Sequence, residues 1–118
     1  MVVVEDETMV AILLEDMLAE LGCEVLWTAH RVNKALDLVS GSTPDAAVLD
    51  VNIAGDEVYP VADALAARGV PIVFTTGYGA RGLADSWRDR PIVQKPFQVE
   101  HLSRGLLTAL GKGMGNGG

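Results

Sequence analysis

The chain is poor in residues that staple, anchor or attract. It has one cysteine, Cys23, so no internal disulfide can form and a reducing, cytoplasmic setting is the expectation. Cys23 precedes Glu24, Val25 and Leu26 and reads as a strand-packing residue, not a reactive thiol. No apolar stretch approaches the roughly 20 residues of a membrane span. Basic residues are outnumbered by acidic ones, nine to sixteen, for a net charge of −7. That balance excludes direct nucleic-acid binding, which needs clustered Lys and Arg against phosphates. The loose group Arg81, Arg88 and Arg90 is interleaved with Asp85 and Asp89 and reads as a solvated loop of mixed charge. Aromatics are scarce, at 5%; Trp27 and Trp87 read as partly buried anchors. The 118 residues are enough for one domain with its own core.

Short apolar runs alternate with amphipathic stretches. Val2 to Val4 is a strand, and Val10, Leu13, Leu14, Met17, Leu18 and Leu21 follow a helical period that ends at Gly22. Cys23 to Trp27 reads as a second strand, at an edge because of Glu24. Val32, Ala35, Leu36 and Val39 give a short helix, and Ala46 to Leu49 the next strand. Pro60 opens a helix that runs to Arg68 before Gly69. Pro71 leads into Ile72-Val73-Phe74-Thr75, Ile92 to Gln94 is a fifth strand, and Leu102, Leu106 and Leu110 line a last helix. This order predicts a parallel sheet covered on both faces. Gly77 to Arg90 reads as a short or mobile segment with at most one or two turns. The expected domain is 1–110, with 111–118 a flexible Gly-rich tail.

Three of the strands stop abruptly at charged residues: Glu5-Asp6-Glu7, Asp50 and Lys95. Charges at strand carboxyl ends lie where open parallel sheets keep their sites. If the strands are neighbours, Glu5, Asp6, Asp50 and Lys95 converge in one acidic cleft with a single lysine. Adjacent carboxylates repel by about 4 kcal/mol per pair at ~4 Å and an effective dielectric near 20. Either a hard cation neutralises them or their side chains diverge into water. Mg²⁺ suits such a site, taking one or two carboxylates and keeping room for phosphate oxygens. Glu7 is assigned to the start of the first helix, where a negative side chain favours the dipole. Asp50 can act as a nucleophile and accept a phosphoryl group as a mixed anhydride, with Lys95 a second positive partner. Thr75 and Thr76 compete to supply a hydroxyl; Thr76 is favoured, because it shares a strand face with Ile72 and Phe74 and precedes the turn at Gly77.

The ordered set Glu5-Asp6, Asp50, Thr76-Gly77 and Lys95-Pro96-Phe97 resembles the receiver domain of two-component response regulators, over Val2 to about Leu110. The resemblance implies an α/β, (βα)₅ flavodoxin-like fold with a five-stranded parallel sheet in the order 2-1-3-4-5. It implies a bacterial phosphoprotein whose Asp50 receives a phosphoryl group from a histidine kinase and whose output passes to an unknown downstream protein. Glu5, Asp6, Asp50 and the main-chain carbonyl of Asn52 would gather Mg²⁺, Thr76 and Lys95 would grip the phosphoryl oxygens, and Lys95–Pro96 would be cis. The chain would catalyse only its own phosphorylation and dephosphorylation, and so is not an enzyme with a separate substrate.

A narrower likeness lies in Pro71-Ile72-Val73-Phe74-Thr75-Thr76-Gly77-Tyr78-Gly79, which resembles the FATGUY single-domain receivers, with Thr75 in place of the motif's Ala. Such receivers often pair with HWE-type histidine kinases. Ile92 stands where ordinary receivers carry an aromatic switch residue, three positions before the lysine; Tyr78, or ordering of the Gly77–Arg90 segment, is expected to take its place. Asn52 and Tyr78 would tune the lifetime of the acyl phosphate. A monomer is expected, for want of an exposed apolar helix face, with a phosphorylation-linked dimer as the alternative. His30 and His101 read as surface or packing residues. Other classes fit less well: a phosphate-independent interaction module has no need of the filled acceptor, metal and lysine positions. An aspartyl-phosphate hydrolase needs a second aspartate where Asn52 stands, and a flavin carrier would meet Glu5-Asp6-Glu7 where its phosphate loop should be.

Overall fold

A computed structural model describes residues 1–77 and 82–113 of the chain. The five-stranded sheet consists of β1 (Val2–Val4), β2 (Trp27–Ala29), β3 (Ala47–Asp50), β6 (Ile72–Thr76) and β7 (Ile92–Gln94). A two-stranded hairpin of β4 (Asn52–Ile53) and β5 (Asp56–Glu57) lies between β3 and the third helix. The helices are α1 (Thr8–Glu20), α2 (Val32–Ser40), α3 (Tyr59–Ala66) and α4 (Val99–Gly113). The sheet runs β2-β1-β3-β6-β7 and all its pairings are parallel, which is the expected 2-1-3-4-5 order counted over the sheet strands alone.

Side-chain alternation divides the core in two. Val2, Val4, Leu49, Ile72 and Phe74 face α2 and α3, while Val3, Val48, Val73 and Val93 face α1 and α4. A strand buried on both faces needs apolar residues at every position, which explains the unbroken Val2-Val3-Val4 run. On the second side Leu14, Leu18 and Leu102 are fully buried, each stabilising the fold by roughly 1.5–3 kcal/mol relative to exposure. At Gly105 α4 packs close against the sheet: a Cβ there would lie 3.2 Å from Val93 Cγ2 and 3.4 Å from Val73 Cγ1.

Several expectations shift. β2 pairs at Trp27–Ala29 rather than Cys23–Trp27, because β1 begins at Val2 and the register sets Val2 against Trp27. The preceding residues only lead in, with Leu26 N–H donating to Met1 O at 2.8 Å. The loop expected after Asp50 contains the hairpin, closed by Ala54 (φ 55°) and Gly55 (φ 89°); two successive positive φ values match the twist of a two-residue hairpin turn. α4 continues through Gly113, past the expected limit at residue 110. It buries Leu102, Leu106 and Ala109, leaving Leu110 37% exposed at the rim.

The expectation that no apolar helix face is exposed does not hold either. Met9, Ile12 and Leu13, at helical spacing on α1, are 78%, 46% and 44% exposed. The apolar residues of α1 span more than one face, and only the side bearing Ala11, Leu14 and Leu18 is buried. After β6, the described part of the Gly77–Arg90 segment includes a 3₁₀ turn at Asp85–Trp87. Among the described residues no helix is long and apolar enough to cross a membrane.

Candidate functional site

Register brings the strand ends level. Val4 lies between Ala29 and Leu49, Asp50 pairs with Thr75, and Thr76 pairs with Gln94. One residue further along, the chain supplies Glu5 after β1 and Lys95 after β7. The result is a cleft of about 620 Å³ lined by Asp6, Glu7, Asp50, Asn52, Glu57, Thr76 and Lys95, among others. The Lys95–Pro96 peptide is cis, and Phe97 is buried against the α1 and α4 side of the core.

Lys95 is the hub. Its Nζ donates to Asp50 Oδ2 at 2.9 Å and lies 3.1 Å from Glu5 Oε1. Burial alone would push the ammonium down, but contact with Asp50 and Glu5 outweighs it and holds the group above its ordinary value. Glu5 is fully buried beneath the cleft. Its Oε2 accepts the Glu7 N–H at 3.1 Å, whereas Oε1 has charge contact with Lys95 but no hydrogen-bond donor in line. Burial pushes its carboxyl up to about 7; the Glu7 N–H opposes this, the charge of Asp50 adds to it, and Lys95 opposes it.

Carboxylate oxygens of Glu5, Asp6 and Asp50 lie within 4.8 Å of one another. Three hard oxygen donors at that spacing, one of them short of a donor, fit a small divalent cation. Asp6 is steered by the hairpin: the Ala54 N–H donates to its Oδ2 at 2.9 Å. The hairpin in turn is tied by Asn52, whose side-chain Oδ1 accepts the Gly55 N–H at 3.0 Å. Thr76 and Thr75 part company. Thr76 lines the cleft on the face of Phe74, while the buried Thr75 hydroxyl has no hydrogen-bond partner among the described residues. Tyr78 lies outside the described residues.

Four features go beyond what the sequence showed. Glu7 starts α1 as expected, at its N-cap position but without a side-chain capping bond, and it also lines the cleft. Glu57 joins the rim through the hairpin. His30, read as a surface or packing residue, holds Glu5: its Nδ1 is 2.8 Å from the Glu5 main-chain oxygen. Trp87 stacks on Tyr59 (ring centroids 6.4 Å) and meets Phe74 edge-on at 5.6 Å. Ile92, the position without the usual aromatic, packs against the same cluster.

Known proteins share this layout. The family model described as the response regulator receiver domain matches residues 1–106. The chain is 31% identical over 113 residues to the phyllosphere-induced regulator PhyR of Methylorubrum extorquens, covering 92% of this chain and 42% of that protein. It is 29% identical over 104 residues to the transcriptional regulatory protein PdtaR of Mycobacterium tuberculosis, covering 85% and 51%. The chain thus spans about half, or less, of the length of these curated relatives. Among solved structures it is similar to SdrG from Sphingomonas melonis Fr1, with a TM-score of 0.84 and 42% identity over 92% of this chain and 93% of that one. The chain belongs to the response regulator receiver domain family of two-component signalling.

Proposed function

We propose that this receiver works by accepting a phosphoryl group on Asp50 from the phosphohistidine of a histidine kinase, with Mg²⁺ bound. The observation that carries the reading is the Lys95 ammonium, 2.9 Å from Asp50 at the edge of a cleft where the carboxylates of Asp6 and Asp50 converge. An Asp50 oxygen attacks phosphorus; the O–P bond forms as the donor's P–N bond breaks, and that electron pair returns to the donor imidazole. Lys95 passes a hydrogen bond from Asp50 to a phosphoryl oxygen, and the Thr76 hydroxyl, at the cleft wall, offers another. Glu5, Asp6 and Asp50 would hold the cation, with the Asn52 main-chain carbonyl as a fourth donor; when bound, it supplies positive charge to offset that developing on the phosphoryl oxygens.

Reversal needs only water attacking phosphorus, which restores the Asp50 carboxylate and releases phosphate. The chain therefore serves its own cycle and turns over no separate metabolite. A donor must touch the rim of the cleft, and the exposed Met9, Ile12 and Leu13 begin two residues after Glu7. That apolar strip fits the docking of a kinase, of the HWE type on the FATGUY likeness, with output through a further protein.

Incubation with acetyl phosphate, followed by intact mass, tests the reading. One added phosphoryl group is expected with Mg²⁺, and none with chelator or in Asp50→Asn. An adduct that persists in Asp50→Asn would refute Asp50 as acceptor. No adduct and no Mg²⁺ binding would refute the phosphotransfer reading as a whole.

A further inference from the structure

We propose that His30 is a positioning residue for the cation site, a role that rests on the phosphotransfer reading above. In a parallel ladder one residue gives both its N–H and its C=O to the same neighbouring strand. Glu5 follows this rule for its N–H, which donates to Ala29 O at 3.0 Å. The matching rung to Glu5 C=O would come from the main chain at Arg31, but β2 stops at Ala29 and, among the described residues, the Arg31 N–H makes no bond to Glu5. His30 supplies the rung from its side chain instead, with Nδ1 2.8 Å from the Glu5 oxygen. A carbonyl only accepts, so Nδ1 is the nitrogen that carries the proton.

That oxygen belongs to the peptide joining Glu5 to Asp6, so the ring fixes the plane from which two of the three cation-facing carboxylates diverge. The carboxylates have ties of their own: Glu5 Oε2 accepts from Glu7 N–H, Glu5 Oε1 lies 3.1 Å from Lys95 Nζ, and Asp6 Oδ2 accepts from Ala54 N–H. None of these fixes the plane of the peptide between them, which the His30 ring holds from its oxygen. His30 is not among the residues lining the cleft and is itself exposed, so it acts through Glu5 and Asp6 and not on a phosphoryl group.

The test uses the full chain with His30→Ala and His30→Asn. The Asn side-chain nitrogen stands as many bonds from Cα as Nδ1 does and is also a donor. By titration calorimetry with Mg²⁺ alone, His30→Ala is expected to lower affinity about tenfold, the low end for lost partners of metal ligands, and His30→Asn to recover most of it. In the metal-free protein, the Asp6 and Glu7 amide resonances should move in His30→Ala and return in His30→Asn. The urea midpoint should change little, because an exposed ring is lost. Equal Mg²⁺ affinity in wild type and His30→Ala would overturn the role while leaving the phosphotransfer reading intact. Loss of affinity in both variants in step with a loss of folding stability would overturn it as well, in favour of a structural role. No Mg²⁺ binding by the wild type would overturn both.

Discussion

In the absence of divalent cations, this fold should lose stability as pH rises toward neutrality, and Glu5 is the residue responsible. Glu5 is fully buried, and burial, with the charge of Asp50 adding to it, lifts its carboxyl from 4.5 to about 7 against the pull of the Glu7 N–H and Lys95. Between those two values the folded chain keeps a proton that the unfolded chain has released. The folded state then binds more protons, so unfolding free energy falls with increasing pH across that window and levels off above it. At ~1.4 kcal/mol per pH unit the full loss is roughly 3 kcal/mol, of which about 2 falls between pH ~5.5 and ~8.5. For a domain of this length that is on the order of 5–10 °C in melting temperature. Lys95 does not blur the window, since its pKa is raised above 10.5 and its contribution is lost only in strong alkali. The assay is a set of calorimetric melts in chelator from pH 5.5 to 8.5 for the wild type and Glu5→Gln. Gln keeps an acceptor for the Glu7 N–H but cannot ionise, so its slope over this range should be flatter by about the 2 kcal/mol assigned to Glu5. Magnesium needs the ionised carboxylate, so its stabilising effect should grow with pH in the wild type. An equal slope in Glu5→Gln would refute the assignment of the pH effect to this buried carboxyl.

Four further outcomes follow from packing and hydrogen bonding. Gly105→Ala gains about 1 kcal/mol of helix propensity, but its Cβ meets Val93 and Val73, both buried. Overpacking costs about 1–3 kcal/mol, so a net loss on the order of 1 kcal/mol is expected by urea denaturation, relieved by a second change, Val93→Ala; a stabilised single variant would show that α4 moves freely. Thr75→Val removes a buried hydroxyl without a described partner and should stabilise by about 1 kcal/mol while phosphorylation continues. Thr76→Val should slow the gain of the phosphoryl adduct instead, and a reversal of these two results would exchange the residues' roles. In a Trp27→Phe background, Trp87 emission should change when beryllofluoride and Mg²⁺ are added, since its ring meets Phe74, two residues before Thr76 on the same strand face; constant emission would remove the aromatic cluster from the response.

What the sequence made legible is what apolar runs carry. A run buried on both sheet faces has a definite end, and the first charge after it marks the site edge; Glu5, Asp50 and Lys95 were found that way. The face of Thr76 followed from the same alternation, since Ile72 and Phe74 point to one core and Val73 to the other. Glu57 and the Ala54 N–H could not be found so. They reach the cleft only because Ala54 and Gly55 adopt positive φ and fold residues 52–57 back on themselves. Alanine carries no signal for such a turn, in contrast to the Asn-Gly and Asp-Gly pairs that announce one.

His30 failed to stand out for a different reason, and the reason is instructive. The strand before it was expected at Cys23–Trp27, which left His30 three residues past its end and without a place in the sheet. The apolar content of Cys23-Glu24-Val25-Leu26 is as strand-like as that of Trp27-Thr28-Ala29, so composition does not choose between them. The choice is made by pairing: β1 is only three residues long, and its register begins opposite Trp27. Moved to Trp27–Ala29, the strand ends directly before a polar residue, as β1 does before Glu5. The rule that located the three charged residues then locates His30 as well, one residue past Ala29 and beside Glu5. Positions at strand ends are therefore readable only as well as the register is, and at an edge strand the register is set by the neighbour's length, a property of the partner strand and not of the segment being read.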